Sequence, residues 1–138
     1  MDEQQIDRFC EGLHERLTDI AIELRKVRIS IETNPEHAEN EVRLRLSQVF
    51  ARILQGSARV LDARMEVRDL REDRTTTPVS KVAEWKASGD IGLLRRRLER
   101  ADRYAAAVME LAVAALDEAE EAALLAWLAK RDLESLQN

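Results

Sequence analysis

The chain has 138 residues, of which 36% are charged and 45% hydrophobic, and its formal net charge is −5. That length suits one domain, and the acidic balance offers no general attraction to nucleic acid or an anionic membrane. Two prolines and regularly spaced apolar residues argue against disorder, and a single cysteine, Cys10, excludes an intramolecular disulfide.

The first predicted element is a helix over residues 2–33. Ile6, Cys10, Leu13, Leu17, Ile20, Leu24, Val27 and Ile31 recur in steps of three and four, which places them on one helical face. Cys10 is therefore expected in the core, as a small buried hydrophobe. Asn34-Pro35 ends the helix, because a residue before proline avoids the α region. Glu11 and His14 form the Glu-x-x-His half of a carboxylate-bridged metal site. The second half is missing, since the only other histidine, His37, has Asn34 three residues before it. No metal and no cofactor is expected.

Arg8 and His14 have five residues between them on this first helix, a spacing that resembles the Arg-x(4–6)-His signature of the HEPN family of helical ribonucleases and toxins. The resemblance implies a four-helix bundle that dimerises around RNA, with Arg8 binding phosphate and His14 serving as acid or base. It covers seven residues, and Phe9 follows Arg8 where the family more often has a polar residue.

A second helix is predicted over 35–73, with Pro35 in its first turn and Asn34 as its cap. Its seam is Val42, Leu46, Val49, Ile53, Gly56, Val60, Ala63, Val67 and Leu70. The one-residue connection makes the first two helices antiparallel neighbours. The small residues Gly56, Ser57, Ala58 and Ala63 suggest a place where another backbone approaches closely. A loop is expected at 74–78, where Arg74, three threonines and Pro78 interrupt the pattern.

The third predicted helix covers 79–136. Val79, Val82, Ala83 and Trp85 open it, and Ser88-Gly89-Asp90 is read as a local distortion within one continuous helix. From Ile91 the seam runs through Leu94, Leu98, Ala101, Ala105, Val108, Ala112, Ala115, Ala119, Ala122, Ala126, Ala129, Leu133 and Leu136. A repeat averaging 3.5 residues stays on one face only if helices wrap around one another. The fold class is thus all-α, a long antiparallel coiled-coil or helical bundle of three helices, or of four if the chain breaks at 88–90 or at 117.

Leu111, Leu124, Leu125, Trp127 and Leu128 lie off this seam. Together with Trp85 they are the candidate partner-binding residues, an apolar surface left for another helix. Glu110 is the lone charge within Tyr104–Leu116 and is expected either to face solvent or to meet an arginine from a neighbouring helix. Arg95, Arg96, Arg97, Arg100 and Arg103 precede an acidic stretch at Glu110, Asp117, Glu118, Glu120 and Glu121. Antiparallel pairing of two such helices would set one end against the other.

No phosphate-binding glycine loop, nucleophile elbow or His-Glu-x-x-His motif occurs in the sequence, so no catalytic residue is nominated. The leading expectation is a non-enzymatic interaction protein (an oligomerising scaffold, adaptor or small chaperone) that pairs with itself as a homodimer or with another helical protein. Nucleic acid and membrane are not expected as partners. The acidic first ten residues and the shortness of the apolar run at 104–116 lead to the expectation of a cytoplasmic protein. The alternatives are a HEPN-like ribonuclease using Arg8 and His14, and an amphipathic protein that coats a surface.

Overall fold

The computed structural model of the chain describes residues 2–76 and 78–137, and their side chains except at 72–76. Among the described residues every regular element is helical: α1 (Glu3–Thr33), α2 (Pro35–Thr76), α3 (Val79–Ser88) and α4 (Ile91–Gln137). Asp2 opens α1 with a capping box, accepting a hydrogen bond from the Gln5 amide while Gln5 accepts one from the Asp2 amide. Asn34 serves both neighbouring helices. Its N–H donates to the Ser30 carbonyl at 2.7 Å, and its side-chain oxygen accepts from the His37 amide at 3.3 Å. One residue thus satisfies groups at both helix ends, which is why the turn needs no further length.

The expected loop at 74–78 starts later than the sequence pattern implied, since α2 runs through Thr76, while Thr77 lies outside the described residues. The expected continuity across Ser88-Gly89-Asp90 is corrected. Gly89 adopts a left-handed conformation (φ 68°) that glycine enters without steric cost, and its N–H and that of Asp90 close the end of α3. The Asp90 carboxylate then accepts from the Leu93 amide at 3.1 Å and starts α4. No break falls at Asp117, because α4 continues through it and that side chain is used elsewhere.

α2 and α4 make the most extensive contact, and α1 and α3 make smaller ones. Ion pairs fix the relative direction of the long helices. Glu39 meets Arg131, Arg45 meets Glu120, Arg52 meets Asp117 and Glu66 meets Arg103, so α4 numbers fall as α2 numbers rise and the helices are antiparallel. Ser30 with Glu41 and Asp19 with Arg45 show α1 antiparallel to α2, and therefore parallel to α4.

The core sits near the α1–α2 turn. Val27, Val42, Leu124 and Leu128 are buried there, with Leu24, Ile31, Leu46 and Trp127 packed around them. Along the rest of α2, Val49, Ala63 and Leu70 are buried, so the seam read from its sequence is the face it buries. The other two seams depart from expectation. The α1 seam turns inward in its second half, where Val27 is buried and Leu24 and Ile31 pack beside it, but in its first half Cys10 is exposed, and Ile6 and Leu17 are 46% and 47% exposed. In α4 the seam turned inward is Ala107, Asp117, Glu120, Leu124 and Leu128. The alanines 115, 119, 122, 126 and 129 face outward with Val108, Leu133 and Leu136. The physical reason is area: burying one leucine contributes about 1.5–3 kcal/mol, far more than an alanine methyl, so the face carrying Leu124 and Leu128 wins.

Candidate interaction surfaces

The inner face of α4 carries two carboxylates that would be costly to bury alone, and arginines from the other helices meet both. Arg45 on α2 grips Glu120 with two hydrogen bonds, Nε to Oε1 at 2.5 Å and Nη2 to Oε2 at 3.2 Å. Its Nη2 also lies 3.4 Å from Asp19 on α1. Desolvation pulls the Arg45 pKa down, but the hydrogen bond and charge of Glu120, with the charges of Asp19 and Glu23, outweigh it and hold the guanidinium above its ordinary value. Asp117 pairs with Arg16 of α1 and with Arg52 Nη1 of α2 at 3.3 Å. The two acids therefore tie three helices at one level. Such pairs fix register more than they add stability, because desolvation offsets much of their attraction.

These contacts correct the sequence reading of the acidic stretch. Glu110 meets Arg59 at 3.8 Å, Glu118 meets Arg64 at 3.8 Å, and Asp117 and Glu120 are engaged as described. Antiparallel charge pairing is present, but α2 of the same chain supplies the arginines, and these acids are not held for the arginine-rich end of a second α4. Glu110 meets an arginine of the neighbouring helix while its side chain stays 44% exposed.

Of the six nominated partner-binding residues, Leu124 and Leu128 are in the core and unavailable to a partner. Trp127 packs against that core, with the Arg131 guanidinium 6.0 Å from its ring centre. Leu111 is half-buried and Leu125 is half-exposed. Trp85 lines a groove of about 650 Å³ between α3 and α4. The face of α4 with Leu124 and Leu128 is turned inward, and Leu125 is the most exposed of the nominated residues on this helix.

The uncovered surface lies instead on the backs of both long helices. Phe50, Leu54, Leu61 and Met65 of α2 are all more than half exposed. At 100° per residue they centre roughly opposite the seam that α2 turns toward α4. The outward alanines of α4 are likewise opposite its inner seam. Each long helix is thus apolar on two opposed faces, with one face buried. The α2 stripe was missed in the sequence although its signal is present: Leu54, Ala58, Leu61 and Met65 keep three-and-four spacing, offset from the chosen seam.

The remaining nominated groups are not brought together. Arg8 and His14 are both exposed, and Arg8 Nε donates to the Gln4 carbonyl of its own helix at 3.4 Å. Six positions apart, the two side chains project about 120° from one another around α1. His37 Nε2 lies 2.8 Å from Glu41 on the next turn. Among the described residues no group of three or more His, Cys, Asp or Glu side chains could hold a metal ion, and no helix is long and apolar enough to cross a membrane. Gly56 and Gly12 do not serve close helix approach within the chain, because a Cβ on either would meet nothing within 4 Å.

No family model matches this sequence, and neither a curated protein nor a solved structure shows detectable similarity to it.

Proposed function

We propose that the chain is a non-enzymatic helical interaction module that self-associates through the backs of α2 and α4, acting as a scaffold or adaptor. One observation carries this reading: the chain exposes 10197 Å², whereas a compact monomer of 15.8 kDa exposes about 7,300 Å². The excess is about 2,900 Å² per chain on that scaling, more than the roughly 1,000–2,500 Å² per chain that a homodimer interface of about 2,000–5,000 Å² in total requires. Much of the exposed apolar surface is contiguous along helices, where single exposed residues would need no explanation. Large side chains on the back of α2 and small ones on the back of α4 suit close helix–helix packing. The antiparallel coiled-coil character belongs to this reading as well.

Light scattering of the purified chain tests it. A mass of at least two chains is expected, and Leu54→Lys with Leu61→Lys should lower that mass without loss of helicity by circular dichroism. A monomer across the micromolar range would overturn the reading.

A further inference from the structure

The first half of α1 and the groove between α3 and α4 are both apolar, both open, and opposite in charge. Val27 is the only buried residue of α1; on the apolar side of its first half Ile6 and Cys10 are exposed and Phe9 and Leu13 only half-buried, so that side is incompletely covered by the chain. The same segment carries Asp2, Glu3, Asp7, Glu11 and Glu15, against which Arg8 is the only arginine or lysine before Arg16. The groove has an apolar floor that includes Val82, Trp85, Leu94 and Leu98, with Arg96 and Arg97 at its rim and no acidic side chain among the described residues that line it. Arg96 and Arg97 are exposed and make no ion pair with any described side chain.

We propose that the amphipathic first half of α1 from one copy docks in the α3–α4 groove of a second copy. The proposal rests on the self-association reading and adds a distinct surface to it. Length agrees: the segment from the cap Asp2 to Leu13 spans about 17 Å by helical rise, as does the α4 stretch from Leu93 to Tyr104 that lines the groove. Charge agrees, since an acidic helix meets a groove rimmed by arginine. Amphipathic helices bind apolar grooves in this way, with three-and-four-spaced anchors.

The groove cannot be filled by α1 of the same chain. Arg16 is pinned level with Asp117, and α1 runs parallel to α4. Counting back from Arg16 to Asp2 reaches only the level of residue 103, the near edge of the groove. The groove that α1 does border, lined by Arg16, Ile53, Gly56, Val60 and Val113, carries Glu110, Asp117 and Glu118 as well as arginines, so it offers an acidic helix no net attraction. A second copy has no such tether.

Cys10 is exposed and is the only cysteine, so a benzophenone attached there reports what α1 touches. The full-length labelled chain is irradiated and the cross-links are mapped by mass spectrometry, with light scattering on the same sample. Mixing isotopically heavy and light chains separates links between copies from links within one. Links between copies to residues 82–104 are expected, and their yield should fall at least fivefold with Arg96→Glu and Arg97→Glu, two exposed positions whose change leaves the core intact. A second preparation, Cys10→Ser with Glu3→Cys, places the label off the apolar stripe and should find the same region. Links within one chain to residues 53–64 or 110–118 overturn the proposal, as do links between copies that fall elsewhere while the mass remains oligomeric; in both cases self-association itself stands. A monomeric mass with no link between copies overturns both readings.

Discussion

The inner and outer faces of α4 are both built on three-and-four spacing, and the more regular of the two is the one left in solvent. The outer face runs through alanines 115, 119, 122, 126 and 129 without a polar interruption. The inner face is interrupted by Asp117 and Glu120, yet Glu120 is 1% exposed and Leu124 equally buried. Regularity of pattern is therefore a weaker determinant of burial than what the neighbouring helices bring. Leucines give more area to bury, and arginines on α1 and α2 arrive at the level of the two acids, removing the penalty that would otherwise turn them outward.

The sharpest break of this comparison is to leave one inner charge without its partner. Glu120→Ala should cost about 3 kcal/mol in unfolding free energy, the low end for a broken buried pair, because Arg45 stays buried and keeps only its longer contact with the half-exposed Asp19. Replacing the pair together, Arg45→Met with Glu120→Leu, should recover most of that loss in the same denaturant titration. Leu124→Ala should cost about 2–5 kcal/mol, the range for a leucine lost from a close-packed core.

Two glycine substitutions should move stability by smaller amounts in opposite directions. Gly89→Ala should lower stability by about 1 kcal/mol, since alanine is strained at a positive φ. Gly56→Ala should raise it by about 1 kcal/mol through helix propensity, because its new methyl meets no atom. Thermal melts followed by circular dichroism read both.

On the outer face the expected change in folding is smaller still. Ala122→Lys should alter the unfolding free energy of the chain by less than about 0.5 kcal/mol, while light scattering should show a reduced mass. An equal loss of folding stability would mean that the outer face is packed within the chain. The smallest effect concerns acid. A hydrogen bond from Arg43 is the main cause holding Glu39 below its ordinary pKa; burial opposes it, and Arg131 adds to the lowering. A depressed carboxylate stabilises the fold above the carboxylate range and loses that contribution as pH falls through its folded value. Glu39→Gln should therefore make the acid side of a melting-temperature profile slightly shallower.

The helical class, the turn at Asn34-Pro35 and the α2 seam were all legible in the residues, because each depends on local chemistry or on an apolar pattern with one strong line. The α3–α4 break was visible as Gly89 beside Asp90, but the continuous seam after Ile91 outweighed it in the reading. The site was less legible. Leu124 and Leu128 were identified as strong apolar residues but assigned to a partner, since spacing names a face without saying which way it turns. The outward stripe of α2 went unread because one helix was expected to have one apolar face.

By itself the sequence determined which segments are helical, where the chain turns and which positions share a face, since propensity, capping and periodicity act within a few residues. Only the tertiary structure decided which of two apolar faces is buried, that Arg16, Arg45 and Arg52 neutralise the acids of α4, and that Ile6 and Cys10 at the start of α1 stay exposed. Those outcomes depend on residues as far apart in the chain as Arg45 and Glu120, whose meeting is governed by the competition between buried area and desolvated charge across three helices.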